Sequence, residues 1–168
     1  MSVATSIVSK KMIKKRFNPI TDRSSEIIAF LMASPDMPKD EDMRFKIELS
    51  IEEAVENVVQ YAYEGGIGWL EAGTSLDDKS LILTIELRDA GIPFNPLEQE
   101  DPDITLDANE RPVGGLGIYL CKQMMDSISY RYEEGNNVLV MKKMVGGGLC
   151  VCPSDKTINR SYNELGEL

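Results

Sequence analysis

Three short segments hold residues able to do chemistry. In the first, ELSIEEAVENVVQYAYE, Glu53 and Asn57 stand four residues apart. On a helix that spacing puts both side chains on one face, one turn apart. A carboxylate and a carboxamide so placed can offer two oxygens to a hydrated divalent cation, or serve as one base and one ligand. The same pair also occurs on helix faces that meet only solvent, and spacing alone does not choose between these. In the second segment, LRDAGIPFNP, Asp89 directly follows an apolar strand pattern and Gly91 comes two residues later. A carboxylate there can accept a hydrogen bond from an amine such as the exocyclic amine of adenine, and the glycine lets backbone approach a ligand closely. An ordinary turn capped by the aspartate uses the same residues. The third segment, Pro112-Val113-Gly114-Gly115-Leu116-Gly117-Ile118, opens a helical pattern. Free backbone N–H groups at a helix N-terminus suit phosphate. No Lys-Ser/Thr pair follows the glycines and the GxGxxG spacing is missing, so Walker and Rossmann readings fail, while a simple hinge before the helix stays open.

These residues need elements to hold them. Residues 3–17 hint at an edge strand with a solvated Lys/Arg face, and Asn18-Pro19 ends it. Thr21 or Asp22 can cap a helix through SSEIIAFLMAS. The longest helical pattern runs from about Glu41 to Glu64. Its core face gathers Ile47, Ile51, Ala54, Val55, Val58 and Ala62; Glu48, Glu52 and Glu56 lie on one flank, and Glu53, Asn57 and Gln60 form a stripe on the other. Residues 67–76 and 80–88 read as strands joined by a turn at Asp77-Asp78. Residues 89–113, with four prolines, lack periodicity, as a lid would. A helix over 115–126 and a hairpin of 128–133 with 137–144 around Glu134-Gly135-Asn136 complete the pattern. The order predicts an α+β two-layer sandwich: one mixed, mostly antiparallel sheet with helices on one face, in a single domain over residues 1–145, followed by a flexible tail over 146–168.

Composition narrows the chemistry. The 168 residues include 18 Lys and Arg against 28 Asp and Glu, a formal charge of −10. That sign disfavours nucleic acid or an anionic membrane as the main partner. Histidine is absent, which removes serine triads, Cys-His dyads, histidine metal sites and histidine phosphotransfer on this chain. The cysteines Cys121, Cys150 and Cys152 match no zinc or CxxC spacing, and Cys121 reads as a buried small hydrophobe. Met124 and Met125 read as core. With no signal-peptide pattern and no apolar run of membrane-spanning length, a cytoplasmic protein is expected.

Taken together and in this order, the three segments resemble the N, G1 and G2 boxes of the GHKL ATPase/kinase superfamily, and most closely its anti-sigma-factor serine/threonine kinase branch. The resemblance covers residues 5–144 and includes the last strand, GNNVLVMKK. It implies the Bergerat-type sandwich and a role for each matching position. Asn57 is then the Mg²⁺ ligand and Glu53 the general base that takes the proton of an attacking hydroxyl. Asp89 binds the adenine amine, with Gly91 allowing close approach and Pro93 and Phe94 completing the G1 form. Gly114, Gly115, Leu116 and Gly117 wrap the phosphates of ATP, and residues 95–113 form the ATP lid, with Arg111 at its end set to meet the γ-phosphate or a partner. Two positions depart from the pattern. Tyr61 stands where many relatives have histidine, and Asn136-Asn137 stand where a threonine usually lies near the adenine; Asn137 can supply a similar hydrogen bond. The implied function is an ATP-dependent protein serine/threonine kinase, a homodimer that holds a sigma factor inactive and phosphorylates a STAS-domain antagonist. A nucleotide-gated binding module without kinase activity is the alternative. The ATP-binding half of a split sensor kinase fits less well, since the chain has neither a dimerisation helix pair nor a phosphoacceptor histidine.

Overall fold

The structure is a computed structural model and describes residues 11–18, 20–63, 67–98 and 116–146. Within them the chain forms strand β1 (Ile13–Phe17), helices α1 (Ser24–Met32) and α2 (Glu41–Tyr61), strands β2 (Leu70–Asp77) and β3 (Ile82–Asp89), a 3-10 turn at Pro96–Glu98, helix α3 (Leu116–Met124), and strands β4 (Ser127–Glu133) and β5 (Asn136–Met144). The five strands lie in the order β1-β2-β3-β5-β4. Every described pairing is antiparallel, so the parallel component of the expected mixed sheet does not occur among these strands. The sandwich class itself stands.

The strand pattern explains the layering. Along β3, Leu83, Ile85, Leu87 and Asp89 are buried, while Thr84, Glu86 and Arg88 between them are partly exposed. Strand side chains alternate between faces, so Asp89 points the same way as the three core residues. Register places Ile85 opposite Met141, Leu87 opposite Leu139 and Asp89 opposite Asn137. The apolar pairs join Ile27 and Leu31 of α1 and Ile47, Ile51, Ala54 and Val55 of α2 in one core. Each Leu, Ile or Val side chain among them stabilises by about 1.5–3 kcal/mol when fully buried. Cys121 and Met125 are buried and Met124 is half-buried, as expected of core positions.

Several boundaries move for visible reasons. Helix α1 begins after Arg23, which sits at the N-cap with no side-chain cap bond; Asp22 adopts φ +59° and the backbone N–H of Arg23 closes a turn onto the Ile20 carbonyl at 3.0 Å. Neither Thr21 nor Asp22 occupies the cap position. Helix α2 does have a side-chain cap: Asp40 accepts from the Met43 backbone N–H at 2.8 Å. Strand β2 starts at Leu70 rather than residue 67, because the Gly68 carbonyl is taken by the Ile20 N–H at 3.1 Å and the Trp69 carbonyl by the Tyr63 hydroxyl at 2.7 Å. Asp77 belongs to β2, and its Oδ1 accepts from the backbone N–H groups of Lys79 and Ser80. The closing hairpin turns on two residues, Glu134 and Gly135, at φ +52° and +76°, so Asn136 already lies in β5. That double left-handed turn matches the twist of the flanking strands. No described helix is long and apolar enough to cross a membrane. Residues 3–10, most of the expected lid and residues 147–168 lie outside the described residues.

Candidate functional site

Helix α2 carries one end of the site. Glu53 and Asn57 are both half-buried, one turn apart, as their spacing requires. The Asn57 amide nitrogen donates to the Glu53 main-chain carbonyl at 2.9 Å. This commits the nitrogen inward and leaves Oδ1 as the group offered to the cleft that Asn57 lines. Burial holds the Glu53 carboxyl above the usual glutamate range, and the charges of Glu52 and Glu56 push it the same way. A carboxylate so shifted is a stronger proton acceptor than one in water. Gly117, near the start of α3, lies directly against Glu53: a Cβ there would overlap the Glu53 carboxylate. The glycine at this position therefore leaves room for the Glu53 carboxylate where it lies, apart from any contact with phosphate. Behind them the Cys121 thiol donates to the Ser50 carbonyl at 3.4 Å and is pushed up to about 12, first by burial and then by the Glu53 charge. Such a thiol is inert.

The far end of α2 meets the end of β3. Asp89 is 4% exposed. Its Oδ1 accepts from the Gly91 backbone N–H and from Asn137 Nδ2, each at 2.8 Å. Burial raises its pKa, while these two hydrogen bonds pull the other way. Gly91 lies on the carbonyl of Ala62, where any side chain would collide with backbone, and the next N–H, that of Ile92, donates to the same carbonyl at 2.8 Å. Tyr63 completes the junction. Its hydroxyl donates to Trp69 O at 2.7 Å and accepts from the Ala90 N–H at 2.9 Å.

Between the two ends of the site lies a small cleft of about 50 Å³, partly open to solvent. Helix α2 contributes Ala54, Asn57, Val58, Tyr61 and Ala62; the sheet contributes Leu87, Asp89, Tyr130, Asn137 and Leu139; Ile92, Phe94, Pro96 and Ile118 close the sides. A mainly apolar lining with a few polar groups is the usual make-up of a small-molecule site. Glu53 and Ala62 are nine residues apart. At about 1.5 Å per helical residue the two points are roughly 14 Å apart along α2.

The sequence-derived residues thus fall into three groups. Glu53, Asn57 and Gly117 gather in the second half of α2, and Asp89, Gly91 and Asn137 around its C-terminal end. Phe94 is exposed but lines the cleft, Pro93 is exposed beside it, and Leu116 is exposed at the first position of α3. Arg111, Gly114 and Gly115 lie outside the described residues. Tyr61, at the position of the family histidine, is two-thirds exposed at the cleft wall. Tyr63 and Tyr130 were not singled out by sequence. Tyr130 alternates with Ile128 and Tyr132 on β4, and that period of two was its one signal.

The donor set also suits Mg²⁺. This ion takes few oxygens from protein and fills its shell with water and substrate phosphates. A single carboxamide oxygen, with its own nitrogen bonded to the Glu53 carbonyl, would suit such a role.

Comparison with known proteins places these features in a wider set. The sequence profile described as "Histidine kinase-like ATPase domain" matches residues 23–143. Proteins named serine-protein kinase RsbW from Bacillus thuringiensis (strain Al Hakam), Bacillus cereus (strain AH820) and Bacillus anthracis (strain A0248) are each 32% identical over 104 residues, covering 61% of this chain. The match spans 62% of the relatives' own length.

Proposed function

Because the chain belongs to the histidine kinase-like ATPase domain family, we propose that it binds ATP with Mg²⁺ along α2 and transfers the γ-phosphoryl group to a serine or threonine of a partner protein. The observation that carries this reading is the pair of sites on one helix: a shifted carboxylate packed on the start of α3 at one end, and a buried, oriented aspartate at the other. Names of relatives at moderate identity support kinase-type activity.

In this reading the adenine lies against Leu87, Ile92 and Leu139, with its amine donating to Asp89. The phosphates run toward the start of α3, where glycine-flanked backbone N–H groups receive them. Asn57 Oδ1 would hold Mg²⁺, which offsets phosphate charge and aligns the γ-phosphoryl group. Glu53 accepts the proton as the incoming hydroxyl oxygen bonds to the γ-phosphorus. The bond from that phosphorus to the bridging oxygen breaks and ADP leaves with the electron pair. Positioning and charge do most of the work in this chemistry, so the lack of histidine is no obstacle.

The finer proposal follows the resemblance: the substrate is a STAS-domain antagonist, the protein also sequesters a sigma factor, and it acts as a homodimer. The test is phosphate transfer from labelled ATP to a genomically neighbouring STAS protein, by wild type and by Glu53→Ala, with ATP affinity measured alongside. We expect the variant to bind ATP within about threefold of wild type and to lose roughly 100-fold or more in transfer. Transfer that survives in the variant overturns the assigned base. Binding by wild type without any transfer replaces the kinase with a nucleotide-gated binding module.

A further inference from the structure

Asn137 is 7% exposed and uses its whole hydrogen-bonding capacity inside the protein. Its Oδ1 accepts from the Phe94 backbone N–H at 3.2 Å and from the Tyr130 hydroxyl at 2.8 Å. Its Nδ2 donates to Asp89 Oδ1 at 2.8 Å and to Ile92 O at 3.1 Å, with a longer contact to Gly91 O at 3.4 Å. A carboxamide has two acceptor sites and two N–H groups, and all four are taken. Its orientation is fixed as well. Turning the amide over would set its nitrogen against an N–H that can only donate, and its oxygen against a carboxylate and two carbonyls.

Two consequences follow for the cleft. Asn137 has no hydrogen bond left to give a ligand, although its side chain lines the wall. Both described hydrogen bonds to Asp89 go to Oδ1, so Oδ2 has no partner among the described residues. The register explains how this is built: Asn137 stands directly opposite Asp89 on the neighbouring strand, on the same face, and Tyr130 lies diagonally from it on β4.

We propose that Asn137 is the positioning residue that sets base specificity, locking Asp89 so that Oδ2 faces the cleft as a fixed acceptor. A ring with an exocyclic amine at that point is accepted, and a ring with a carbonyl there is refused. Asn137 does this without touching the base, which departs from the direct hydrogen bond expected from sequence. The proposal rests on the ATP reading above.

The experiment compares affinity for ATP and for inosine triphosphate, in which a carbonyl replaces the amine, by calorimetry on the full chain. The proteins are wild type, Asn137→Ala and Tyr130→Phe. Tyr130→Phe removes one of the two donors that orient the amide and leaves Asp89 itself intact, so it decides the matter should Asn137→Ala fail to fold. Wild type should prefer ATP by roughly 100-fold or more, since a buried polar group facing the wrong partner is strongly rejected. In Asn137→Ala the ratio should fall to within about fivefold of unity, because a free Asp89 can turn away, with an intermediate value for Tyr130→Phe. A merely structural role would weaken both nucleotides equally, and an unchanged ratio in the variants overturns the proposal alone. Failure of wild type to bind either nucleotide overturns the ATP reading, and this proposal with it.

Discussion

At Asp89, burial and function pull in opposite directions. The ionised carboxylate is held in a desolvated place, so its folded-state pKa lies above the unfolded one. The charged form therefore costs stability at neutral pH, and that cost disappears as pH falls through the window between the two values. Asp89→Asn should abolish ATP binding while leaving Tm at pH 7 unchanged or raised by up to about 4 °C, read by calorimetry and thermal melting side by side. In wild type, nucleotide affinity should fall on acidification, starting above the ordinary aspartate range, read by ATP titration across pH. The two glycines of the site separate in the same kind of test. At Gly117 a new methyl meets the end of a flexible Glu53 side chain, which can move. Gly117→Ala should hold its Tm within about 4 °C of wild type and lose at least roughly tenfold in phosphate transfer, because the base is displaced. At Gly91 the methyl meets backbone at Ala62, which cannot move cheaply. Gly91→Ala should cost about 1–3 kcal/mol, seen as a lower denaturation midpoint in urea.

Between elements, the junction of α2 with β3 fixes the cleft. Tyr63 ties the loop after Asp89 to the start of β2 through two hydrogen bonds. Tyr63→Phe should cost about 1–3 kcal/mol and weaken nucleotide binding in parallel, measured by urea unfolding and by ATP titration. This junction was not legible in the sequence. The α2 stripe was, because an apolar period close to 3.6 announces a helix. So was Asp89 at a strand end. Its partnership with Asn137 was not, because the two are 48 residues apart and only strand register brings them together. The α1 cap was misread for a similar reason: composition marked Asp22, but the turn closed by Ile20 sets the backbone there left-handed. Local pattern finds elements, whereas pairing and turn geometry decide what they bring together.

At the scale of the molecule, charges of both signs meet across the described sheet. Lys14, Arg16, Glu71, Arg88, Glu133, Arg131 and Glu86 form ion pairs over exposed parts of the sheet. Exposed pairs of this kind contribute roughly 0–1 kcal/mol each, while the net charge of −10 repels itself. The two effects are both screened by salt and oppose each other, so raising sodium chloride to molar levels should move Tm by no more than about 4 °C. Helix α2 has a different kind of consequence. In the proposed ATP reading it works as a ruler, with the base end and the phosphate end set along one rigid rod. One residue inserted between Glu53 and Ala62 would turn one end against the other by about 100° and break the alignment outright. A whole added turn would nearly restore the angle but lengthen the gap by about 5.4 Å. The reach of this cleft can change only in steps, and none of the small steps leaves it in phase.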